Sequence, residues 1–145
     1  MRPPAFLTIG HLCHDRVPEG IHPGGAALYA ALAARALLSE GDVTVVTRVG
    51  PDFAFRALLE GAGVDLFVHP APATTTFENR YDPVSGRRAQ WLHAWAAPLS
   101  KEIVSALPEA VRESRIVHLA PIAREVDLEV IEAFPQGLIG LSPQG

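Results

Sequence analysis

Pro23-Gly24-Gly25-Ala26-Ala27-Leu28-Tyr29-Ala30-Ala31-Leu32-Ala33-Ala34 decides the fold, because it opens a helix made almost wholly of small apolar residues. The pattern predicts a helix over about 25–38 that is buried on most sides, since it is apolar nearly all round. Gly24 and Gly25 lack Cβ atoms and let a ligand approach the backbone. The first N–H groups of a helix have no intrahelical partners and carry positive partial charge. The stretch therefore predicts a place where an oxygen-rich small molecule meets a helix start.

Asp15 is the acidic residue that complements this helix start. It lies nine residues before Gly24, at the end of Gly10-His11-Leu12-Cys13-His14-Asp15, and this segment follows the β-prone run Phe6-Leu7-Thr8-Ile9. A carboxylate accepts hydrogen bonds from hydroxyl groups, and it can bridge two vicinal ones through strong charge-assisted bonds. An acid after a first strand, followed by glycines at a helix start, predicts a binding site for a polar small molecule.

The rest of the chain alternates strand-like and helix-like segments. The strongly β-branched run 43–49 predicts a strand, as does 64–68. Pro51 is well placed as the first residue of the helix between them, which carries Phe53 and Phe55. This alternation predicts βαβ units and an α/β fold with a mostly parallel sheet and flanking helices. Later segments continue it: a helix over about 100–107 with Ser100 as N-cap, a strand over 115–120, a helix over 127–134 and a strand over 137–141.

Residues 74–95 break this pattern and predict an antiparallel hairpin of two alternating strands around the turn Pro83-Val84-Ser85-Gly86. The alternation predicts that its aromatic side chains share one face, which fits either packing on the domain or an interface. The polar side chains of the hairpin face either a ligand or solvent. The aromatic set is Phe77, Tyr81, Trp91 and Trp95, and the polar set is Glu78, Asn79, Arg80 and Arg88.

Composition excludes several classes of protein. The 145 residues are about one domain, and 48% hydrophobic with 19% charged residues indicates a globular chain. A net charge of −4 without a basic run argues against nucleic acid as the main partner. Arg35 interrupts the longest apolar segment, which argues against a membrane span. The single cysteine, Cys13, rules out an internal disulfide and fits the cytoplasm, and the N-terminus shows no signal-peptide pattern.

Taken in order, several motifs resemble the first half of a ribokinase/PfkB-family carbohydrate kinase. They are the segment 10–15, the pair Gly24-Gly25, Val49-Gly50-Pro51-Asp52-Phe53 and Gly63-Val64-Asp65. The opening motif and Thr74-Thr75-Thr76-Phe77 resemble the branch that contains plant myo-inositol kinases. The resemblance spans essentially all 145 residues. Since the family's chains are about twice as long, it implies an N-terminal half with a small β-hairpin lid at about 74–95.

The resemblance implies an ATP-dependent sugar or polyol kinase that uses Mg²⁺ and dimerises through the lid. Asp15 takes the place of a substrate-binding aspartate, Gly24 and Gly25 line the substrate, and His14 forms a pocket wall. Tyr29 stands where the family commonly has asparagine, and Arg80 belongs to the lid region. The implied substrate-binding residues are therefore Asp15, Gly24, Gly25, His14, Tyr29 and Arg80, and none of these is assigned a catalytic role.

The catalytic base and ATP site of such a kinase are not found in this sequence. Glu60-Gly61-Ala62-Gly63-Val64-Asp65 resembles the family's Gly-Ala-Gly-Asp motif, but its glycines end a helix and lead into a strand. An anion hole needs a loop that leads into a helix start, so Asp65 is not predicted to be the base. Ser142 replaces an aspartate that the family often has, and no catalytic role is assigned to it. Negligible kinase activity is therefore expected of these residues alone, and a separate C-terminal half is one candidate partner.

The sequence also has to be compared with alternative hypotheses about function. A non-catalytic sugar- or polyol-binding protein, or one subunit of a split kinase, fits the same features. A zinc site at His11, Cys13 and His14 is disfavoured, because a strand directs His14 away from the other two and no second cluster completes the site. A NAD-binding Rossmann domain is disfavoured as well, because glycines are lacking after the first strand and Asp15 would repel a pyrophosphate.

Overall fold

A computed structural model describes residues 1–38 and 41–144, in which five parallel strands form a central sheet. Runs of β-branched and aliphatic residues build these strands, which suits strands covered on both faces. The predicted α/β fold with a mostly parallel sheet is confirmed. From one edge to the other, the strands are β5 (Val64–Pro70), β4 (Val43–Val49), β1 (Phe6–Ile9), β8 (Ile116–Leu119) and β9 (Leu138–Leu141).

Alternate strand residues point into two separate cores, one on each face of the sheet. On one face, Val43 and Val45 pack with Leu28 of α1 (Ala26–Leu37). On the other, Leu7 and Ile9 pack with the segments that lie between β7 and β9. The first face also holds α2 (Arg56–Gly61), and the second holds α3 (Lys101–Ser105), α4 (Glu109–Arg112) and a 3-10 helix (Leu128–Ala133).

A second, four-stranded sheet follows the carboxyl ends of β1 and β5. Its order is β3 (Gly20–Gly24), β2 (Cys13–Val17), β6 (Thr75–Tyr81) and β7 (Arg88–Ala94). The β6–β7 hairpin lies where the sequence predicts one, but the β2–β3 hairpin was not predicted. Asp15 therefore lies within β2 of this second sheet, and not at the end of the first strand.

The register of the β6–β7 hairpin corrects the predicted aromatic face. Asp82 N–H donates to the Arg87 carbonyl at 2.9 Å and closes the turn. With this turn, Trp91 pairs with Glu78, so it lies on the opposite face from Phe77. The prediction that all the aromatic residues share one face is therefore wrong, because the turn length sets which residues face each other.

Helix α1 is less buried than predicted. Its buried residues are Ala27, Leu28 and Ala31, whereas Tyr29 is 61% exposed. The reason is that α1 makes its main contacts with β1 and β4, on a single face of the sheet. No helix among the described residues combines the length and the apolar character needed to cross a membrane.

Two further helices differ from their predictions. Helix α2 begins at Arg56 and not at Pro51, so Phe53 and Phe55 precede it. Asp52 instead anchors a turn by accepting hydrogen bonds from the N–H and hydroxyl of Thr74 at 2.9 and 2.8 Å. The segment predicted as a helix over 127–134 is the 3-10 helix, capped by the Asp127 side chain.

His11 is a fully buried histidine that links the first strand to the second sheet. Its Nε2 lies 2.8 Å from the Ala97 carbonyl oxygen, which can only accept, so Nε2 carries the hydrogen. Its Nδ1 lies 2.8 Å from Thr75 Oγ1 and accepts from that hydroxyl. Burial lowers the pKa of His11, so the neutral ring is the stable form in the folded chain.

This burial predicts that the chain loses stability in mild acid. The unfolded chain protonates His11 near its ordinary pKa of 6.5, whereas the folded chain resists protonation. The contribution is therefore fully present above pH 6.5 and is lost as the pH falls toward the lowered pKa of the folded state. Burial also lowers the pKa values of His14 and His118, so these two histidines likewise make the folded chain less stable as the pH falls.

We expect the free energy of unfolding to fall by up to ~1.4 kcal/mol per pH unit for each such histidine. Urea unfolding at a series of pH values measures this slope, and His11→Gln should reduce it. An NMR titration of the His11 ring with a midpoint at or above 6.5 contradicts the prediction.

Candidate functional site

A cleft of about 610 Å³ lies between the start of α1, the second sheet and the carboxyl ends of β8 and β9. Gly25 and Tyr29 line it from α1, and His118 and Ser142 line it from the ends of β8 and β9. The second sheet contributes one of its two faces, because alternate residues of a strand point the same way. The residues on that face are Cys13, Asp15, Phe77, Asn79, Arg88 and Gln90.

Asp15 offers a carboxylate to this cleft. It is half-buried, and this burial raises its pKa, with smaller opposing effects from His22 and His14. Among the described residues, the one hydrogen bond to its oxygens is a long contact of 4.0 Å from the Cys13 thiol. Burial raises the pKa of that thiol as well, so Cys13 stays protonated and uncharged. The Asp15 carboxylate therefore remains free to accept hydrogen bonds from ligand hydroxyl groups.

The two glycines are required by contacts within the protein. A Cβ atom on Gly24 would clash with the Asp15 carboxylate, and one on Gly25 would clash with the carbonyl oxygen of His11. Gly25 also has φ of 104°, which side chains of L-residues rarely allow. Gly25 lines the cleft, and Gly24 lies buried behind Asp15. The chain itself thus comes close to both glycines, and the approach of a ligand to Gly24 and Gly25 stays a prediction.

Tyr29 lies one turn into α1 and lines the cleft with Gly25. Its hydroxyl donates a 3.4 Å hydrogen bond to the Pro23 carbonyl, and most of its side chain is exposed. A phenol at this position gives the α1 wall a hydroxyl that the neighbouring alanines lack.

His14 lies outside the cleft, because it is next to Asp15 on β2 and points to the other face of the sheet. Its ring stacks on Phe53 at a centroid distance of 5.8 Å and meets Phe55 edge-on at 5.6 Å. The Ala54 N–H donates to its Nε2 at 3.4 Å. This surrounding identifies His14 as a packing residue of the segment before α2.

Arg80 is likewise directed to the outer face of the second sheet. Its guanidinium carbon lies 5.1 Å from the centroid of the Trp91 ring, and its Nε donates to Glu78. The structure therefore brings together Asp15, Gly25 and Tyr29, and leaves His14 and Arg80 elsewhere.

Asn79 and Gln90 form a polar pair in the cleft wall whose importance the sequence did not reveal. They face each other across β6 and β7, and both line the cleft. The Asn79 Oδ1 atom is buried and has no hydrogen-bond partner among the described residues. A buried carbonyl oxygen without a donor is costly, so rotation of the Asn79 amide toward a donor on a ligand would be favoured. The alternating pattern of β6 was the signal in the sequence that could have identified Asn79, but it left open whether this side chain faces a ligand or solvent.

The residues do not supply an obvious metal site. Among residues 1–38 and 41–144, no group of three or more histidine, cysteine, aspartate or glutamate side chains is placed to hold a metal ion. His11 is engaged by Thr75 and Ala97, and His14 by its aromatic neighbours. We assign no step to ATP or Mg²⁺ on the described residues.

Comparison with known proteins gives matches among solved structures, whereas family models and curated sequences give none. A pyrophosphate-dependent kinase in the ribokinase family, solved with a pyrophosphate analog and myo-inositol, is 22% identical with a TM-score of 0.76, over 97% of this chain and 49% of that chain. Ribokinase from Giardia lamblia is 14% identical with a TM-score of 0.75, over 97% and 50%.

A third match is a pyrophosphate-dependent myo-inositol-1 kinase that was converted into a myo-inositol-3 kinase by replacing an asparagine and a serine with leucine. It is 18% identical with a TM-score of 0.72, over 97% of this chain and 48% of that chain. The chain thus spans about half the length of the structures that it matches. The resemblance to ribokinase-family kinases is confirmed at the level of the fold, and the described residues have the architecture of a ribokinase-like half.

Proposed function

We propose that this chain is the acceptor-binding half of a sugar or polyol kinase of the ribokinase/PfkB family, acting in the cytoplasm. One observation carries the proposal: a carboxylate with free oxygens, Asp15, shares a cleft with the start of α1 under the second sheet. Hydroxyl groups of a polyol donate to such a carboxylate and can be bridged by it. The Asn79 amide, which lines the cleft and whose oxygen lacks a donor among the described residues, adds a second polar group that could turn toward a ligand hydroxyl group.

A cyclic polyol such as myo-inositol is the substrate class that we favour. A matching kinase was solved with myo-inositol bound. In another, replacing an asparagine and a serine eleven positions apart changed which hydroxyl of myo-inositol is phosphorylated. Asn79 and Gln90 are also eleven positions apart, and they form a cross-strand pair in the cleft wall. We therefore propose that this pair helps to select the orientation of the polyol.

The phosphoryl donor is assigned by resemblance alone. The family resemblance implies ATP with Mg²⁺, and two of the matching kinases are pyrophosphate-dependent. Both donors supply a phosphoryl group that passes to a substrate hydroxyl, and this transfer depends mainly on positioning and electrostatics. The role that we propose for these residues is to hold and orient the acceptor.

A completing polypeptide is proposed as a partner, as in a split kinase. Strand β9 is an edge of the central sheet, and its Leu138 and Leu141 are 69% and 50% exposed. A parallel sheet normally has covered faces, so these residues favour a further unit packed beside them. A non-catalytic polyol-binding protein is the alternative, and it needs no such unit.

Pairing of two copies through the second sheet is also proposed. Ile21 and Trp91 lie in one cross-strand row on its outer face and are both partly exposed. Tryptophan is enriched at protein interfaces, and Ile21 extends the apolar surface beside Trp91.

The test is a titration of the purified chain with a panel of polyols, sugars and nucleosides, followed by thermal unfolding and calorimetry. A ligand at ~100 times its dissociation constant adds about 2.7 kcal/mol to folding stability. We expect a cyclic polyol to bind, and Asp15→Ala to weaken that binding about tenfold or more.

Asp65→Ala is the matched control, because Asp65 is an exposed acid on β5 outside the cleft, and it should bind as the wild type does. If the folded wild type binds no member of the panel, or if Asp15→Ala binds equally well, the proposal is wrong.

A further inference from the structure

Thr8, His118 and Ser142 form a chain of hydrogen bonds that ends in the cleft. Thr8 and His118 are register partners on β1 and β8, and Thr8 Oγ1 lies 3.0 Å from His118 Nδ1. On the other side of the ring, His118 Nε2 lies 2.8 Å from Ser142 Oγ. The backbone holds Ser142 in place, because its N–H donates to the Leu119 carbonyl at 2.9 Å. His118 and Ser142 both line the cleft.

The direction of this hydrogen-bond chain follows from Thr8. Its side chain is fully buried, and among the described residues His118 is the partner of its hydroxyl. If Thr8 only accepted from Nδ1–H, its own hydrogen would be buried without an acceptor, which costs free energy. Thr8 therefore donates to Nδ1, and the neutral ring then carries its hydrogen on Nε2 and donates to Ser142. Burial lowers the pKa of His118, which favours this neutral ring.

A donor is thereby presented to the cleft. The Ser142 oxygen accepts from His118, so its hydroxyl hydrogen is left to donate to a ligand. The ring of His118 is held by Phe6, whose centroid lies 6.1 Å away. The register partner of His118 on β9 is Gly140. A Cβ atom at Gly140 would meet nothing within 4 Å, so there is room for a ligand beside Ser142.

We propose that Ser142 is a substrate-binding residue that donates a hydrogen bond to a hydroxyl oxygen of the polyol, with His118 as its positioning residue. This inference rests on the proposed function, because it needs a polyol in the cleft. Asp15 can only accept hydrogen bonds when ionised, whereas Ser142 supplies a donor. Each hydroxyl group can both donate and accept, so the two residues hold a polyol by complementary contacts from different walls of the cleft.

The first test needs no ligand. Long-range ¹H–¹⁵N NMR of the whole chain reports which ring nitrogen of His118 carries the hydrogen. We expect the Nε2–H form, and the Nδ1–H form overturns the inference.

The second test measures binding of myo-inositol by calorimetry. We expect Ser142→Ala to weaken binding about tenfold, because one hydrogen bond is lost. Ser142→Thr keeps the hydroxyl and should retain most of the affinity. His118→Phe should weaken binding too. The double variant with Ser142→Ala and His118→Phe should bind myo-inositol no more weakly than Ser142→Ala alone, since the two residues act as one unit.

Ser105→Ala is the control, because Ser105 lies at the exposed end of α3 and does not line the cleft. Melting temperatures of all variants show that they are folded. If Ser142→Ala binds like the wild type while Asp15→Ala does not, the inference fails and the proposed function stands. If the wild type binds neither myo-inositol nor any other polyol, both are overturned.

Discussion

Replacing Glu125 by alanine should lower the free energy of unfolding by about 3 kcal/mol or more. Glu125 is completely buried, yet no lysine or arginine forms an ion pair with it among the described residues. Its carboxylate instead accepts hydrogen bonds from three backbone N–H groups. They belong to His11 at 3.1 Å, Ile122 at 3.0 Å and Ala123 at 2.7 Å.

The size of this effect follows from the groups that would be left behind. A buried N–H without a partner costs about 1–3 kcal/mol, and alanine at position 125 leaves three of them unless water enters. Two of these groups belong to the loop after β8, and the third lies between β1 and β2. Glu125 therefore joins two segments that are distant in sequence, and Ile122 of that loop lines the cleft.

Urea unfolding of Glu125→Ala, compared with Glu113→Ala, measures this contribution. Glu113 is an exposed glutamate next to α4, so its replacement should change stability by less than about 0.5 kcal/mol. The free energy of unfolding of Glu125→Gln should lie between those of the other two variants. Its amide keeps one acceptor oxygen but sets an NH₂ group against backbone donors. Equal stabilities for Glu125→Ala and Glu113→Ala would show that water or a rearranged loop satisfies these N–H groups.

The sequence predicted the central sheet well because each of its strands carries a local signal. Val43–Val49 is β-branched at six of its seven positions, and the other four are short, mostly apolar runs that each adjoin a glycine or a charged residue. The strand Gly20–Gly24 has the opposite composition, with two glycines and a proline among five residues. Its pairing with β2 is imposed by tertiary contacts, and local propensity gave no hint of it.

The site was predicted in part for a similar reason. Asp15 and Gly25 are close in sequence and lie beside the helix start, so their common location was accessible from the order of the motifs. The order of the motifs does not show which way a strand residue points, and this is why Arg80 was expected near the substrate. The contacts of Ser142 with His118 and of Glu125 with His11 join residues 24 and 114 positions apart, and only the fold brings them together.

Gly25→Ala is the second substitution for which we expect a large loss, about 3 kcal/mol in the free energy of unfolding. A φ of 104° is costly for alanine, by about 1–3 kcal/mol when the surroundings enforce it. The new Cβ would also clash with the His11 carbonyl oxygen. That carbonyl has little freedom to move, because the His11 ring is held by Thr75 and Ala97 and its N–H by Glu125.

Gly61→Ala is the control for this change. Gly61 ends α2, and a Cβ atom there would meet no neighbour within 4 Å, so alanine should be neutral or stabilising by up to about 1 kcal/mol. Chemical denaturation of both variants, with calorimetry for polyol binding, separates stability from binding. Relief of the clash would move the start of α1 away from Asp15, so folded Gly25→Ala should also bind polyol more weakly than Gly61→Ala. If Gly25→Ala is as stable as Gly61→Ala and binds equally well, the backbone at the helix start is free to adjust and the cleft does not depend on it.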